Sequence, residues 1–146
     1  MRYLPPEEVC RNIEEKLAKP LDGSFGNMFQ FRFLGWDPER AAFLMQATVN
    51  SSMTNPFGTT HGGVCAAIID EAMGTVAFCM GENSGIMPTV QLNISYHRPV
   101  PADTVLMLRI RPVSNTKTLV HMMAEAYVPT DPNRICFSAS GTFFRK

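Results

Sequence analysis

The chain has 146 residues, 45% of them apolar and 18% charged, with a formal net charge of zero. A domain of that length buries a real core without disulfide or metal staples. Scattered Lys and Arg leave no basic stripe, so neither nucleic acid nor an anionic membrane is an expected partner.

Cys10, Cys65, Cys79 and Cys136 form no CxxC pair and read as buried free thiols of a reducing compartment. His61, His97 and His121 are equally dispersed, so no metal site is expected.

Residues 6–19 read as a helix: Pro5 and Pro6 stand at its start, Glu7 and Glu8 fill the first turn, and Val9, Ile13 and Leu17 form an apolar stripe. Pro20 and Gly23 stop it. This opening stretch is too charged for the apolar core of a signal peptide, and no apolar run approaches membrane-spanning length. A cytoplasmic protein is the expectation, on that ground alone.

Alternation in MFQFRFLG predicts a strand over 28–35; the turn WDPER follows, then a second strand, AAFLMQATV, over 41–49. Residues 50–60, NSSMTNPFGTT, form a polar loop, and a long helix runs from about 61 to 80, ended by Gly81. After a loop over 82–87, TVQLNISY (89–96) alternates strictly, with Val90, Leu92, Ile94 and Tyr96 on one face. Strands over 104–113 and 117–128 meet at the turn SNTK, and PTDPNR leads to a last strand over 134–144. Short turns between strands mean antiparallel pairing, and the single long apolar helix must cover that sheet. The fold class is α+β, in one domain.

The segment HGGVCAAIIDEAMG, 61–74, raises the functional question, because only Asp70 and Glu71 are charged between residues 62 and 80. Apolar and small residues occur all round this helix, which predicts burial. At helical spacing Asp70 neighbours Ala66, Ala67, Met73 and Gly74, a face without bulk that suits either a closely packed backbone or a ligand. Both acids could simply be wet on a solvent edge, with Glu71 the better candidate for that or for an ion pair; acids held in apolar surroundings also cluster at active sites. Asn55, Gly58, His61, Gly62 and Gly63 precede and open the helix, whose free N–H groups can hold a polarised carbonyl. Glycine at 62 and 63 would let a substrate approach the backbone, or would merely allow tight packing against the sheet.

Asn55-Pro-Phe-Gly58-Thr-Thr-His61-Gly62-Gly63, followed by Asp70 nine positions after His61, resembles the hotdog-fold acyl-CoA thioesterases of the PaaI-like group. The resemblance continues through Thr89, the strand ending Tyr96-His-Arg98-Pro99 and the Lys117-Thr118 pair, and covers roughly residues 25–145. It implies a hotdog domain over 25–146, a long central helix wrapped by an antiparallel sheet of five to six strands, with residues 1–24 as a peripheral helical extension. It also implies assembly as homodimers and often homotetramers.

Carried over residue by residue, the resemblance makes Asp70 the catalytic carboxylate and Gly62 the amide that polarises the thioester carbonyl. Asn55 stands beside the thioester or attacking water, Thr89 helps orient water, and His61 positions the loop or the thioester. Gly63 borders the substrate. Arg98 and Lys117 are the expected phosphate contacts, with Arg109 and Arg111 behind them. No cofactor is implied, coenzyme A being part of the substrate.

Gly62 and Asp70 lie eight residues apart, so about 12 Å separates them along one helix axis. Two groups acting on one carbonyl must each be within a few ångströms of it. The site must therefore pair Gly62 of one subunit with Asp70 of another across a two-fold axis. The implied reaction is hydrolysis of an aromatic or short- to medium-chain acyl-CoA, with Asp70 as general base or as nucleophile. The alternatives are an enoyl-thioester hydratase or dehydratase, suggested by Glu71-Ala72-Met73 on the helix, and a non-catalytic acyl-CoA-binding module.

Overall fold

The computed structural model describes residues 4–82 and 85–146. Of the loop expected over 82–87, residues 83 and 84 lie outside the described residues.

Helix α1, Pro6–Ala18, forms where expected: proline occupies its start, Glu7 and Glu8 face the positive end of the helix dipole, and Lys16 sits in the last turn. Val9 and Ile13 are fully buried in the same core as the sheet. The peripheral helix of the sequence reading is thus packed into the main core.

Alternation misleads over residues 28–31. Phe25–Phe29 is a 3₁₀ turn, Gln30 is left-handed, and strand β1 begins only at Arg32 and runs to Asp37. The spacing of Phe29 and Phe31 comes from edge-to-face ring packing, with Phe25 and Phe31 at 5.3 and 5.8 Å from buried Phe29. The expected turn loses Trp36 and Asp37 to the strand; Asp37 instead caps the bend by accepting from the Glu39 and Arg40 N–H groups.

Strands β2 (Ala42–Val49), β3 (Thr89–Tyr96), β4 (Thr104–Asn115), β5 (Leu119–Tyr127) and β6 (Ile135–Phe144) complete one six-stranded antiparallel sheet of order β1-β2-β4-β5-β6-β3. Helix α2, Gly62–Cys79, lies against β2 through β6, with Ile68, Ile69, Met73 and Val76 wholly buried. A long helix wrapped by an antiparallel sheet is the hotdog arrangement that the sequence resembles.

Two expectations need correction. By length and composition α2 is apolar enough to cross a membrane, because Gly, Ala and Thr dilute its hydropathy little; here it is the core helix of the sheet. Nor is it buried all round, since Gly63, Ala66, Ala67, Asp70, Glu71, Gly74 and Phe78 recur at three- and four-residue spacing as a half-open stripe of mostly small side chains. Strand β3 also departs from its pattern. It pairs only with β6, at the sheet edge, and leaves the supposed inner residues Val90 and Tyr96 61% and 54% exposed. Strict alternation identifies a strand but not how much of either face is covered.

Candidate active site

The two halves of the expected site are built separately on α2. At its front, the loop 54–60 is fixed by its own polar groups. Asn55 Oδ1 accepts from the Phe57 and Thr59 N–H groups at 3.0 and 3.3 Å, and its Nδ2 donates to Thr59 Oγ1 at 3.0 Å. Gly58 takes φ +79°, which glycine adopts without strain. The Thr60 N–H donates to the Val100 carbonyl and the His61 N–H to that of Met53, tying the loop to the core. Asn55 therefore reaches the site through its loop, its side-chain oxygen already engaged.

His61 is the N-cap. Its Nδ1 accepts from the Gly63 N–H at 2.9 Å, which puts the neutral ring's proton on Nε2. The His61 carbonyl accepts from the Val64 and Cys65 N–H groups at 2.9 and 3.1 Å. Among the described residues this leaves the Gly62 N–H as the one first-turn donor without a partner. A free amide at a helix start is oriented for a partial negative charge.

The two explanations for Gly62 can now be separated. Its φ is not left-handed, and an added Cβ would lie 3.4 Å from the Tyr96 ring, an ordinary contact. Neither conformation nor packing within the chain demands glycine there, which speaks against the packing explanation within the protomer. The cleft beside it has a volume of about 370 Å³ and is lined by Asn55, Gly62, Cys65, Tyr96 and Arg98. Gly63 adjoins His61 rather than this cleft, its absent Cβ lying 3.1 Å from Nδ1.

Two turns further along α2, Asp70 is half-buried, and Thr89 at the start of β3 donates its hydroxyl to Asp70 Oδ1 at 2.9 Å. Both line a second cleft of about 220 Å³ with Glu71, Gly74 and Phe143. Lys16, Glu71 and Thr75 line this cleft and also a third, of about 390 Å³, that opens between the end of α1 and the 3₁₀ turn at Gly26 and Asn27. Glu71 is exposed and forms no ion pair among the described residues; Gly26 leaves it room, since a Cβ there would meet Glu71 Oε2 at 2.9 Å.

The structure thus brings Asn55, Gly62 and Arg98 to one cleft and Asp70 and Thr89 to another. Arg98 is exposed and donates to the Ile135 carbonyl at 3.1 Å. Lys117 lies in the β4–β5 turn and lines none of these clefts. Arg109 is held by the Pro132 carbonyl and the Tyr127 ring, and Arg111 reaches Met123 Sδ. Sequence reasoning assigned no role to Tyr96, whose hydroxyl donates to the Gly62 carbonyl at 2.6 Å; its one visible signal was a tyrosine closing a strand just before Arg98 and Pro99. Burial lifts the Cys65 and Cys79 thiols to about 11, so neither is a nucleophile at neutral pH.

The family model described as Thioesterase superfamily matches residues 57–133, a span that holds Gly62, Asp70, Thr89 and Tyr96. The chain belongs to this superfamily. Acyl-coenzyme A thioesterase THEM4 of Rattus norvegicus is 30% identical over 90 residues, which are 60% of this chain and 36% of that protein. The chain therefore spans only about a third of the length of that curated relative. Among solved structures, the PaaI protein of the E. coli phenylacetic acid degradation operon superposes with a TM-score of 0.78 at 14% identity, over 97% of this chain and 95% of that one. A Streptococcus pneumoniae thioesterase solved with coenzyme A gives 0.67 at 22% identity, over 80% and 88% of the two chains. At such identities these two structures establish the shared fold.

Proposed function

We propose that the chain hydrolyses acyl-CoA thioesters in a site shared between two copies, the Gly62 amide from one and the Asp70 carboxylate from its mate. The carrying observation is the separation of these groups. The unpartnered amide and the Thr89-held carboxylate open into different clefts, about 12 Å apart along one rigid helix. The half-open stripe of small residues on α2 supports a second α2 packing antiparallel across it, which would bring each amide opposite the other copy's acid.

In this arrangement the thioester carbonyl oxygen sits at the Gly62 N–H, which stabilises the charge that develops as the carbonyl is attacked. Asp70 takes a proton from water, the hydroxide equivalent adds to the carbonyl carbon, and the C–S bond breaks as that proton passes to the departing sulfur, which restores the carboxylate. The products are a carboxylic acid and the CoA thiol. Thr89 holds the Asp70 carboxylate in place. The cleft between α1 and the 3₁₀ turn, which shares Lys16, Glu71 and Thr75 with that of Asp70, offers space for an aromatic or medium-length acyl group. Arg98 at the mouth of the other cleft suits a CoA phosphate.

Subunit complementation tests the reading directly. Asp70→Asn and Gly62→Val homodimers should each be nearly inactive in a thiol-release assay with a panel of acyl-CoAs. Unfolding the two together and refolding them at equal concentration makes half the dimers mixed, each with one intact site and one doubly altered. Activity should return to about a quarter of the wild-type value. No recovery, with mixed dimers shown by mass, would place both groups in one subunit's site and sink the proposal; so would a fully active monomer. Enoyl-CoA hydration without thiol release would identify the reaction as hydratase chemistry instead.

A further inference from the structure

We infer that Tyr96 is a positioning residue for the Gly62 amide, its hydroxyl fixing the peptide plane that follows the polarising N–H. The inference rests on the reading of Gly62 given above and extends it to a residue with no assigned part in the reaction.

Gly62 and Gly63 are the two most permissive residues available, placed together at a helix end that is prone to fray. A donor that stabilises a developing oxyanion must point within roughly 10–20° of one direction, and such a pair cannot hold that direction by itself. The structure supplies the restraint from outside. The Gly62–Gly63 peptide is gripped at both ends: its oxygen accepts from the Tyr96 hydroxyl at 2.6 Å, and its N–H donates to His61 Nδ1 at 2.9 Å. The N–H of Gly62 lies in the preceding peptide, whose His61 carbonyl accepts from the Val64 and Cys65 N–H groups. With the planes on both sides held, Gly62 can turn its N–H only at the cost of one of these bonds.

Tyr96 is itself well anchored. It ends β3 opposite Phe137, its ring 6.1 Å from the Phe137 ring, and the next two N–H groups, of His97 and Arg98, both donate to the Cys136 carbonyl. Its ring stands in van der Waals range of Gly62. Burial first, and the neighbouring Cys65 second, raise the phenol above its usual value, so it remains a donor at every pH at which the enzyme would be assayed. An unpolarised phenylalanine would keep the ring packing and lose only the donor.

Tyr96→Phe is the test. In the thiol-release assay kcat should fall roughly tenfold, as expected for one lost hydrogen bond that matters in the transition state. KM and product inhibition by CoA should stay within about twofold, because ground-state binding is untouched. The wild-type to variant ratio of kcat should be constant from about pH 6 to pH 9, since the phenol does not titrate there.

A second measurement needs no substrate. In protein labelled with ¹⁵N-glycine, the Gly63 amide, which donates to His61 Nδ1, should exchange with solvent several-fold faster in the variant, while the Gly74 and Gly141 amides are unchanged. Unchanged kcat, or Gly63 exchange equal to wild type, would overturn the inference, as would a uniform rise in exchange at all three glycines. If wild-type protein releases no thiol from any acyl-CoA, the functional reading fails while the exchange experiment still decides whether Tyr96 holds the peptide.

Discussion

The front and the middle of α2 are built on opposite plans. At the front, one chain supplies every restraint: His61 caps, Tyr96 grips the Gly62 carbonyl, and the loop 54–60 is tied down at Met53, Val100 and Pro101. In the middle, the Asp70 carboxylate accepts from the Thr89 hydroxyl and stands on a half-open stripe of alanine and glycine, with Glu71 lining the clefts on both sides. The amide end is closed by hydrogen bonds within the chain; the acid end is open. On the proposed reading, a group that must be aimed is held rigidly, whereas one that must receive water and substrate is left accessible. That difference also explains why an acid is tolerated in so apolar a helix.

The largest effect should come from the acid itself. Asp70→Asn keeps the Oδ1 that accepts the Thr89 hydroxyl, so the fold and thermal stability should be unchanged. Loss of the base should lower kcat by about 10²–10⁴-fold. Retained turnover would mean that the open end of the helix is a solvent edge rather than a reaction centre.

Gly62→Ala probes the closed end, and there stability and activity should move apart. The methyl would make an ordinary contact with Tyr96 at 3.4 Å in a conformation alanine accepts, so the melting temperature should stay level or rise slightly. The same methyl occupies the approach to the free N–H, and misplacing the thioester by about 1 Å should reduce kcat/KM by roughly 10²-fold. Equal activity in the two proteins would leave this glycine without a catalytic explanation.

These contrasts were only partly legible in the sequence. Six strands and two helices could be read because period-two alternation, an apolar stripe on α1 and a nearly uncharged α2 leave little choice. Residues 28–31 misled because Phe29 and Phe31 alternate for reasons of ring packing, which local pattern cannot distinguish from a strand. The edge position of β3 was invisible for a related reason: alternation records the faces of a strand, not its neighbours. Gly62, Asp70, Asn55 and Thr89 were named from a recognisable motif, and the structure places Asn55 with Gly62 at one cleft and Thr89 with Asp70 at another. The Tyr96–Gly62 bond was not, because it joins residues 34 positions apart and depends on where β3 ends relative to α2. The separation of the two clefts was half foreseen, since helical rise alone fixes about 12 Å between residues 62 and 70.

Thr89→Val sharpens the comparison at the open end. Valine suits a strand and keeps the shape of threonine, so it removes little but the donor to Asp70. A hydrogen bond to a charged group contributes about 1.5–3 kcal/mol, and the lower end, which suits so exposed a pair, corresponds to a fall in kcat of roughly tenfold. The effect should be smaller than that of Asp70→Asn and absent when Asp70 is already asparagine. Additive losses in the double variant would show Thr89 acting on substrate or water independently of the carboxylate.

The smallest effect concerns a thiol that should do nothing. Cys65 lies one turn inside the rigid end of α2, is 2% exposed, and is raised to about 11 chiefly by burial, with a further push from Cys136. At pH 8 about one molecule in a thousand would carry its thiolate, and that one would be covered. Cys79 is similarly raised to about 11 and buried, and Cys136 is buried and raised too, which leaves half-buried Cys10 as the accessible thiol. A disulfide reagent should therefore modify native protein mainly at Cys10, as read by peptide mass, and a Cys10→Ser variant should give a nearly flat background in thiol-release assays. Rapid labelling of Cys65 in that variant would reveal an opening of the first turn, and with it a front end as loose as the middle.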